Sequence, residues 1–189
     1  MRVYKNLEIK HLGRNAITFK NFSGLGTPYN AEGKRNFCIY LDDSDASYYK
    51  YDNVKYDVGQ PDQLQSLIKA LKTDGWYIKT WTSDPDKYEP RPYLKVNVSL
   101  RTVRPDGREI PGPKIVLEGD DGRLTEIPEE IKENFMPKFD RNIIEYMDLV
   151  INPYNYDANK QSGYLHVMYA KFVNTDPFAK DYQMDEGIQ

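Results

Sequence analysis

Apolar residues recur along this chain mainly at every second position, in short runs separated by turn-forming residues. Runs of β-branched and aromatic residues bounded by Gly, Pro, Asn and Asp predict strands. In Tyr93–Leu100, the residues Leu94, Val96, Val98 and Leu100 share one parity and predict a core face, because successive side chains of a strand point to opposite faces. The predicted strands are Asn15–Phe19, Asn36–Leu41, Trp76–Trp81, Tyr93–Leu100, Lys114–Leu117, Tyr146–Asn152 and Tyr164–Val173.

Two segments have the character of helices. Pro128–Phe135 predicts a short helix with acidic residues in its first turn, where they favour the helix dipole. Asp62–Thr73 is bounded by a proline and a glycine, and its apolar residues fall at i, i+3, i+4 and i+7, the spacing of one helical face. That face consists of Leu64, Leu67, Ile68 and Leu71.

The order of these elements predicts a mostly β fold. It fits an OB-fold-like antiparallel barrel with one amphipathic helix and a long C-terminal hairpin, and an open β-sandwich is the alternative. We expect residues 1–173 to form a single OB-like domain. Residues 42–60 and 101–113 are expected to be loops. Residues 174–189 lack apolar periodicity and are expected to form an acidic flexible tail.

Length and composition exclude several classes of protein. A chain of 189 residues can bury a core without a disulfide or a structural metal. The single cysteine, Cys38, excludes an intrachain disulfide and a thiolate zinc cluster. No apolar run approaches the length of a membrane-spanning helix, and the N-terminus lacks the apolar stretch of a signal peptide. These features predict a cytoplasmic protein.

Charge is segregated along the chain, although the formal net charge is only −3. Residues 174–189 hold four acids and one base, so the rest of the chain is neutral. Within it, residues 1–41 hold seven bases against two acids, and residues 91–116 hold six against two. Residues 42–62 hold six Asp against two Lys. This distribution suits a basic groove beside acidic surfaces.

Aromatic and basic residues share the second face of two predicted strands. Tyr77, Lys79 and Trp81 alternate on one strand, and Tyr93 and Lys95 on the next. Aromatic rings can stack on the bases of single-stranded nucleic acid while cations between them neutralise phosphates. The alternative is an ordinary solvated face whose aromatics pair across strands.

Two further segments complete the predicted groove. Phe37 is assigned to it although it shares the parity of Ile39 and Leu41, which argues for the core. The loop of the C-terminal hairpin is expected to act as a finger over the strand. The predicted groove residues in these segments are Lys34, Arg35 and Phe37 from the second strand region, and Tyr154, Tyr156 and Lys160 from the hairpin.

Catalytic chemistry is not evident in the sequence. The two histidines, His11 and His166, lack metal-ligand spacing, and Gly24-Leu25-Gly26 is not followed by the residues of a phosphate-binding loop. We therefore expect no enzymatic activity, no metal site and no cofactor.

Several blocks of sequence follow one another in a distinctive order. The blocks are Asn21–Gly24, Arg35–Cys38, Leu71–Lys79, Pro92–Val96, Pro113–Ile115, Val150–Tyr156 and Ser162–Leu165. Taken in this order, they resemble a group of small phage and prophage single-stranded DNA-binding proteins. The resemblance covers most of residues 15–182 and implies an OB-like fold, single-stranded DNA as partner, and a role in replication or recombination in the cytoplasm of a bacterial host. Tyr48–Tyr56 and Arg104–Gly112 depart from the pattern.

The sequence thus predicts a non-enzymatic single-stranded DNA-binding protein that acts in phage DNA replication or recombination and stacks bases on sheet aromatics. Its acidic tail, which contains Phe178 and Tyr182, is expected to recruit replication or recombination proteins or to compete with DNA for the groove. The alternative is a structural or adaptor protein, such as a virion component, that uses Tyr-rich protein–protein contacts.

Overall fold

The computed structural model describes residues 5–42, 45–100, 102–103, 105–155 and 161–173. The predicted acidic tail lies outside these residues. The first half of the chain contains β1 (Leu7–Gly13), a 3₁₀ turn (Arg14–Ala16), β2 (Ile17–Asn21), β3 (Arg35–Tyr40), β4 (Tyr48–Tyr51), β5 (Val54–Asp57), α1 (Pro61–Thr73), β6 (Lys79–Trp81) and β7 (Arg91–Val98). The second half contains β8 (Thr102–Val103), β9 (Glu109–Ile110), β10 (Lys114–Glu118), β11 (Leu124–Glu126), α2 (Glu129–Phe135), α3 (Pro137–Arg141), β12 (Ile144–Asn155) and β13 (Gln161–Phe172).

One mixed sheet dominates the structure. Its main path runs β2-β3-β7-β13-β12-β1-β4-β5, while β6 pairs with β7, β10 pairs with β13, and β11 pairs with β10. The strands β8 and β9 form a separate ribbon. Most pairings are antiparallel, but β13 runs parallel to β7 over Gly163 and Tyr164 and parallel to β10 further along.

The prediction of a mostly β fold is confirmed, and the architecture fits a β-rich OB-like fold. The sheet is mixed and not a closed barrel, because its path ends at β2 and β5 without closing within the described residues. The strand β13 is long enough to contact two strands in succession, β7 near its start and β10 nearer its end, and both of these pairings are parallel. In the part of the chain that the structure describes, none of the helices has the length and apolar character needed to cross a membrane.

The core forms where the sequence pattern placed it. Leu94, Val96 and Val98 of β7 are buried in one cluster with the apolar face of α1. Leu64, Leu67 and Leu71 of that face are buried, and Ile68 packs half-buried against the cluster. The period of two in β7 and the period of 3.6 in α1 therefore meet in a single apolar interior.

A group of phenylalanines forms the part of the core behind β2 and β3. Phe22 stacks on Phe37 with ring centroids 4.9 Å apart, and Phe139 of α3 lies 5.0 Å from Phe22. Asp140 of the same helix accepts hydrogen bonds from the backbone N–H groups of Phe22 (2.9 Å) and Ser23 (2.8 Å). The helix α3 therefore covers one face of this part of the sheet, and it does not cover the opposite face.

Residues 42–60 are not a loop throughout, contrary to expectation. They contain β4 and β5, an antiparallel hairpin in which Tyr51 pairs with Val54. The two turn residues, Asp52 and Asn53, have φ values of 52° and 62°. A two-residue hairpin turn with both residues left-handed favours Asn and Asp, so this local sequence suits the turn. The expected loop at 101–113 likewise contains the ribbon of β8 and β9.

Candidate nucleic-acid interface

The face of β2, β3, β7 and β6 that points away from the phenylalanine core carries five of the eleven predicted site residues. Strand register arranges its side chains in rows across the sheet. These rows are Trp81 and Arg91; Lys79, Tyr93 and Tyr40; Lys95, Cys38 and Thr18; and Asn97, Asn36 and Asn21. We call this surface the groove.

The groove has an aromatic cluster toward the end that carries Trp81. The ring of Phe19 lies 5.4 Å from that of Trp81 and 5.8 Å from that of Tyr93, both in edge-on contact. Phe19 belongs to β2 and Trp81 to β6, with two strands between them, which in a flat sheet would separate their backbones by about 14 Å. The two side chains therefore extend toward each other across the intervening strands. Phe19 (45% exposed) and Trp81 (42% exposed) nevertheless remain accessible to solvent.

Phe19 is the groove residue that sequence reasoning missed. By strict alternation it shares the parity of Ile17, whose partner Ile39 is in the core. However, β2 holds one extra residue between Thr18 and Asn21, and Phe19 has a φ of 49°. A β-bulge of this kind redirects a side chain, so the ring faces the groove instead of the core. No turn residue in the sequence marks the bulge.

Two lysines in the groove are available to bind an anion. The Nζ of Lys79 lies 5.3 Å from the centroid of Tyr77, an exposed ring at the same edge of the groove. Lys95 occupies the row below Tyr93. Neither lysine has a carboxylate within ion-pair distance among the described residues.

Arg91 is in a different situation, because its charge is already paired. Its guanidinium donates to both carboxylate oxygens of Asp42, at 2.7 and 2.9 Å. It also stacks over the ring of Tyr40 at 3.7 Å. Such a bidentate pair holds the arginine and the tyrosine in place, so these side chains form one wall of the groove.

Two titratable groups of the groove, Cys38 and Tyr93, have raised pKa values. Burial raises the pKa of the Cys38 thiol to about 11, against the opposing effect of Lys95 and Lys79. Burial is also the main cause of a raised pKa at Tyr93, and electrostatic interactions with Cys38, Tyr77 and Tyr40 raise this pKa further. The local charge of the groove is therefore supplied by its lysines. No group of three His, Cys, Asp or Glu residues in the described ranges is arranged to hold a metal ion.

The structure brings Tyr77, Lys79, Trp81, Tyr93 and Lys95 together in the groove, as the sequence predicted.

Two predicted groove residues of β3 face the other way, and these assignments are wrong. Phe37 is 0% exposed in the phenylalanine core and cannot stack on a base. Arg35 shares its parity and points to the side of α2, with its guanidinium 3.8 Å from a carboxylate oxygen of Glu133. Alternation along β3 places both residues on the face opposite Cys38 and Tyr40.

The remaining predicted residues lie outside the rows of the groove or outside the described residues. Lys34 is exposed immediately before β3. Tyr154 lies in β12, paired in register with Ser162 of β13. Tyr156 and Lys160 lie outside the described residues.

Comparison with known proteins finds similarity only at the level of structure. No protein-family model matches the chain, and no curated protein matches it. The chain is structurally similar to phage single-stranded DNA-binding proteins. The single-stranded DNA-binding protein of bacteriophage Enc34 in complex with ssDNA is 12% identical, with a TM-score of 0.44 over 92% of this chain and 89% of that one.

Two further structures of the Enc34 protein show the same level of similarity. A C-terminal truncation is 12% identical, with a TM-score of 0.42 over 90% of this chain and 88% of that one. Another structure of the protein is 11% identical, with a TM-score of 0.41 over 93% of this chain and 84% of that one. At such values the similarity does not assign a function to this chain.

Proposed function

We propose that this chain is a non-enzymatic single-stranded DNA-binding protein that acts in phage DNA replication or recombination. The observation that carries the proposal is the cluster of Phe19, Trp81 and Tyr93 on one sheet face beside lysines without carboxylate partners among the described residues. Accessible rings and unpaired cations on one surface match the two needs of a single strand, which are stacking of bases and neutralisation of phosphates.

The geometry favours a single strand over a duplex. A duplex buries the flat faces of its bases, so rings on a sheet cannot stack on them without opening it. In a single strand every base has an accessible π-face, and each stack contributes about 1–3 kcal/mol with little sequence preference. The rings of the groove lie on a sheet and not on a helix that could enter a major groove.

Cations within the aromatic cluster and on the side of it away from Trp81 give the strand a path. Lys79 lies in the row of Tyr93, Lys95 in the next row, and Lys34 precedes β3 at the far end. Each phosphate neutralised on a single strand contributes about −0.7 to the slope of log affinity against log salt. Three lysines therefore correspond to a slope of about −2.

The acidic tail, residues 174–189, is proposed to act on the same surface. Tethered to the body, its carboxylates compete with phosphates for the groove lysines at an effective concentration on the order of millimolar. When DNA displaces the tail, the tail is free to recruit replication or recombination proteins.

A binding titration tests the proposed function. Labelled oligothymidylate should bind the full chain, while a duplex of the same length should bind far more weakly. Trp81→Ala should weaken binding, whereas Leu124→Ala should not, because Leu124 is an exposed apolar residue of β11, outside the groove. Equal affinity for single strand and duplex, or an equal effect of the two substitutions, would contradict the proposal.

A further inference from the structure

We propose that residues 23–34, named here the Tyr29 loop, form a preformed platform that stacks one additional base of the strand bound in the groove. The inference rests on the proposed function, because the platform extends the same binding surface. It assigns a role to Tyr29, which is 96% exposed and lies on no strand of the sheet.

Backbone contacts make the Tyr29 loop stiff. At its base, the N–H of Gly33 donates to the carbonyl of Gly24 at 2.8 Å, and both glycines have positive φ values, 73° for Gly24 and 90° for Gly33. At its tip, Thr27 and Asn30 exchange hydrogen bonds of 2.8 and 3.2 Å around Pro28 and Tyr29. A proline at the second position of such a turn restricts φ and limits the conformations of the tip.

The side chain of Asn30 fills the inside of the loop. Its Nδ2 donates to the carbonyl of Lys34 at 2.8 Å, to that of Ala31 at 3.1 Å and to that of Leu25 at 3.3 Å. The side-chain amide of Asn30, at the tip, thus contacts both the segment that enters the loop and the segment that leaves it. The backbone carrying Tyr29 is therefore held in place before any ligand arrives.

The same amide ties the loop to the groove. The Oδ1 of Asn30 accepts a hydrogen bond of 2.8 Å from the Nδ2 of Asn36, which belongs to the last row of the groove. In that row, the side chain of Asn21 both donates to and accepts from the backbone of Leu25, at 3.0 and 2.9 Å. Two asparagines of the groove thus fix the loop at the end opposite Trp81.

The platform repeats the chemistry of the groove. It presents an exposed aromatic ring on Tyr29 and an exposed cation on Lys34, whose carbonyl is held by Asn30. Because the backbone is already ordered, stacking a base on Tyr29 costs little additional conformational entropy. A strand that runs along the groove past Lys95 toward Asn36 reaches the loop next.

Affinity as a function of strand length tests the platform. Oligothymidylates of about 4 to 16 nucleotides cover the site sizes of an OB fold. Wild-type protein should gain about 5- to 150-fold in affinity at the length that first reaches Tyr29. Tyr29→Ala should lose only this gain and bind shorter strands normally, while Tyr29→Phe should keep it. Asn30→Ala, which frees the loop, should lose part of it.

The outcomes separate the platform from the groove. Suppose that Trp81→Ala weakens binding at every strand length but Tyr29→Ala shows the same length dependence as the wild type. The groove then binds DNA, and the proposal that Tyr29 forms a platform is wrong. A loss in Tyr29→Ala that occurs only on strands long enough for two protein molecules assigns the ring to a protein contact and also overturns the platform. If wild-type protein binds no oligomer, the proposed function and the platform both fail.

Discussion

Truncation of Trp81 is the sharpest test of the groove, because its effects on binding and on stability can be predicted separately. If a base stacks on this ring, Trp81→Ala should cost about 1–3 kcal/mol of affinity for oligothymidylate, or about 5- to 150-fold in Kd. The positions of Thr80 and Lys79 should not change, because the substitution keeps the backbone pairing of β6 with β7.

The effect on folding should leave the protein folded. Trp81 is 42% exposed and makes its ring contact with Phe19 edge-on, an interaction that contributes about 0.5–1.5 kcal/mol beyond burial. Truncation also removes the covered part of the side chain, so the total loss is about 2–3 kcal/mol. In a domain of this size, each 1 kcal/mol lowers Tm by about 2–4 °C. The variant should therefore remain folded under conditions in which its loss of affinity is measured.

Intrinsic fluorescence supplies a direct assay. The chain has two tryptophans, and the other one, Trp76, is buried with its indole N–H hydrogen-bonded to the Tyr51 hydroxyl at 3.1 Å. Stacking of a base should quench only Trp81. Trp81→Phe should abolish the quenching while it retains most of the affinity measured by anisotropy.

Two results would refute this reasoning. Normal affinity of Trp81→Ala would show that the ring is not a stacking surface. A fall in Tm much larger than about 12 °C would show that the ring is a structural element, and any loss of binding would then have to be attributed to unfolding.

Further predictions concern charge, the core, the groove floor and the tail. Log Kd against log salt should have a slope of about 2 in magnitude, reduced by about 0.7 in Lys79→Gln, as titrations at several salt concentrations will measure. Phe37→Ala should destabilise the fold by about 3–5 kcal/mol in chemical denaturation, whereas a loss of DNA binding without a loss of stability would contradict its core position. The Cys38 thiol should resist alkylation at pH 8 in the folded protein, because its pKa is raised to about 11, and should react once the chain is unfolded in urea. Because the folded state holds this proton more tightly, its contribution to stability should be present below pH 9 and be lost as the pH rises toward 11. Deletion of residues 174–189 should tighten DNA binding at low salt and have less effect at high salt, with unchanged affinity at both as the contrary result.

The sequence by itself determined the features that depend on local periodicity. Alternation in β7 separated Leu94 and Val96 from Tyr93 and Lys95, and the structure places these pairs on opposite faces. The apolar spacing of α1 likewise predicted the helix face that packs into the core. Such patterns survive folding because burial of apolar area acts on each element through its own repeat.

Two features that were predicted incorrectly, the hairpin of β4 and β5 and the position of Phe37, nevertheless have a signal in the local sequence. In the hairpin of β4 and β5, Tyr49 and Tyr51 alternate with polar residues and are buried, and Asp52-Asn53 suits the left-handed turn between the strands. The parity of Phe37 with Ile39 also argued for the core, as the structure has it. In both cases the alternation along the strand agrees with the buried position that the structure shows.

Only the tertiary structure decided the rest. The bulge that turns Phe19 into the groove depends on how β2 pairs with β3, and the parallel contacts of β13 depend on two strands that are distant in sequence. The contact of Phe19 with Trp81 depends on the arrangement of four strands together. Pairing between distant segments is chosen by the free energy of the whole sheet, so no local repeat in the chain encodes it.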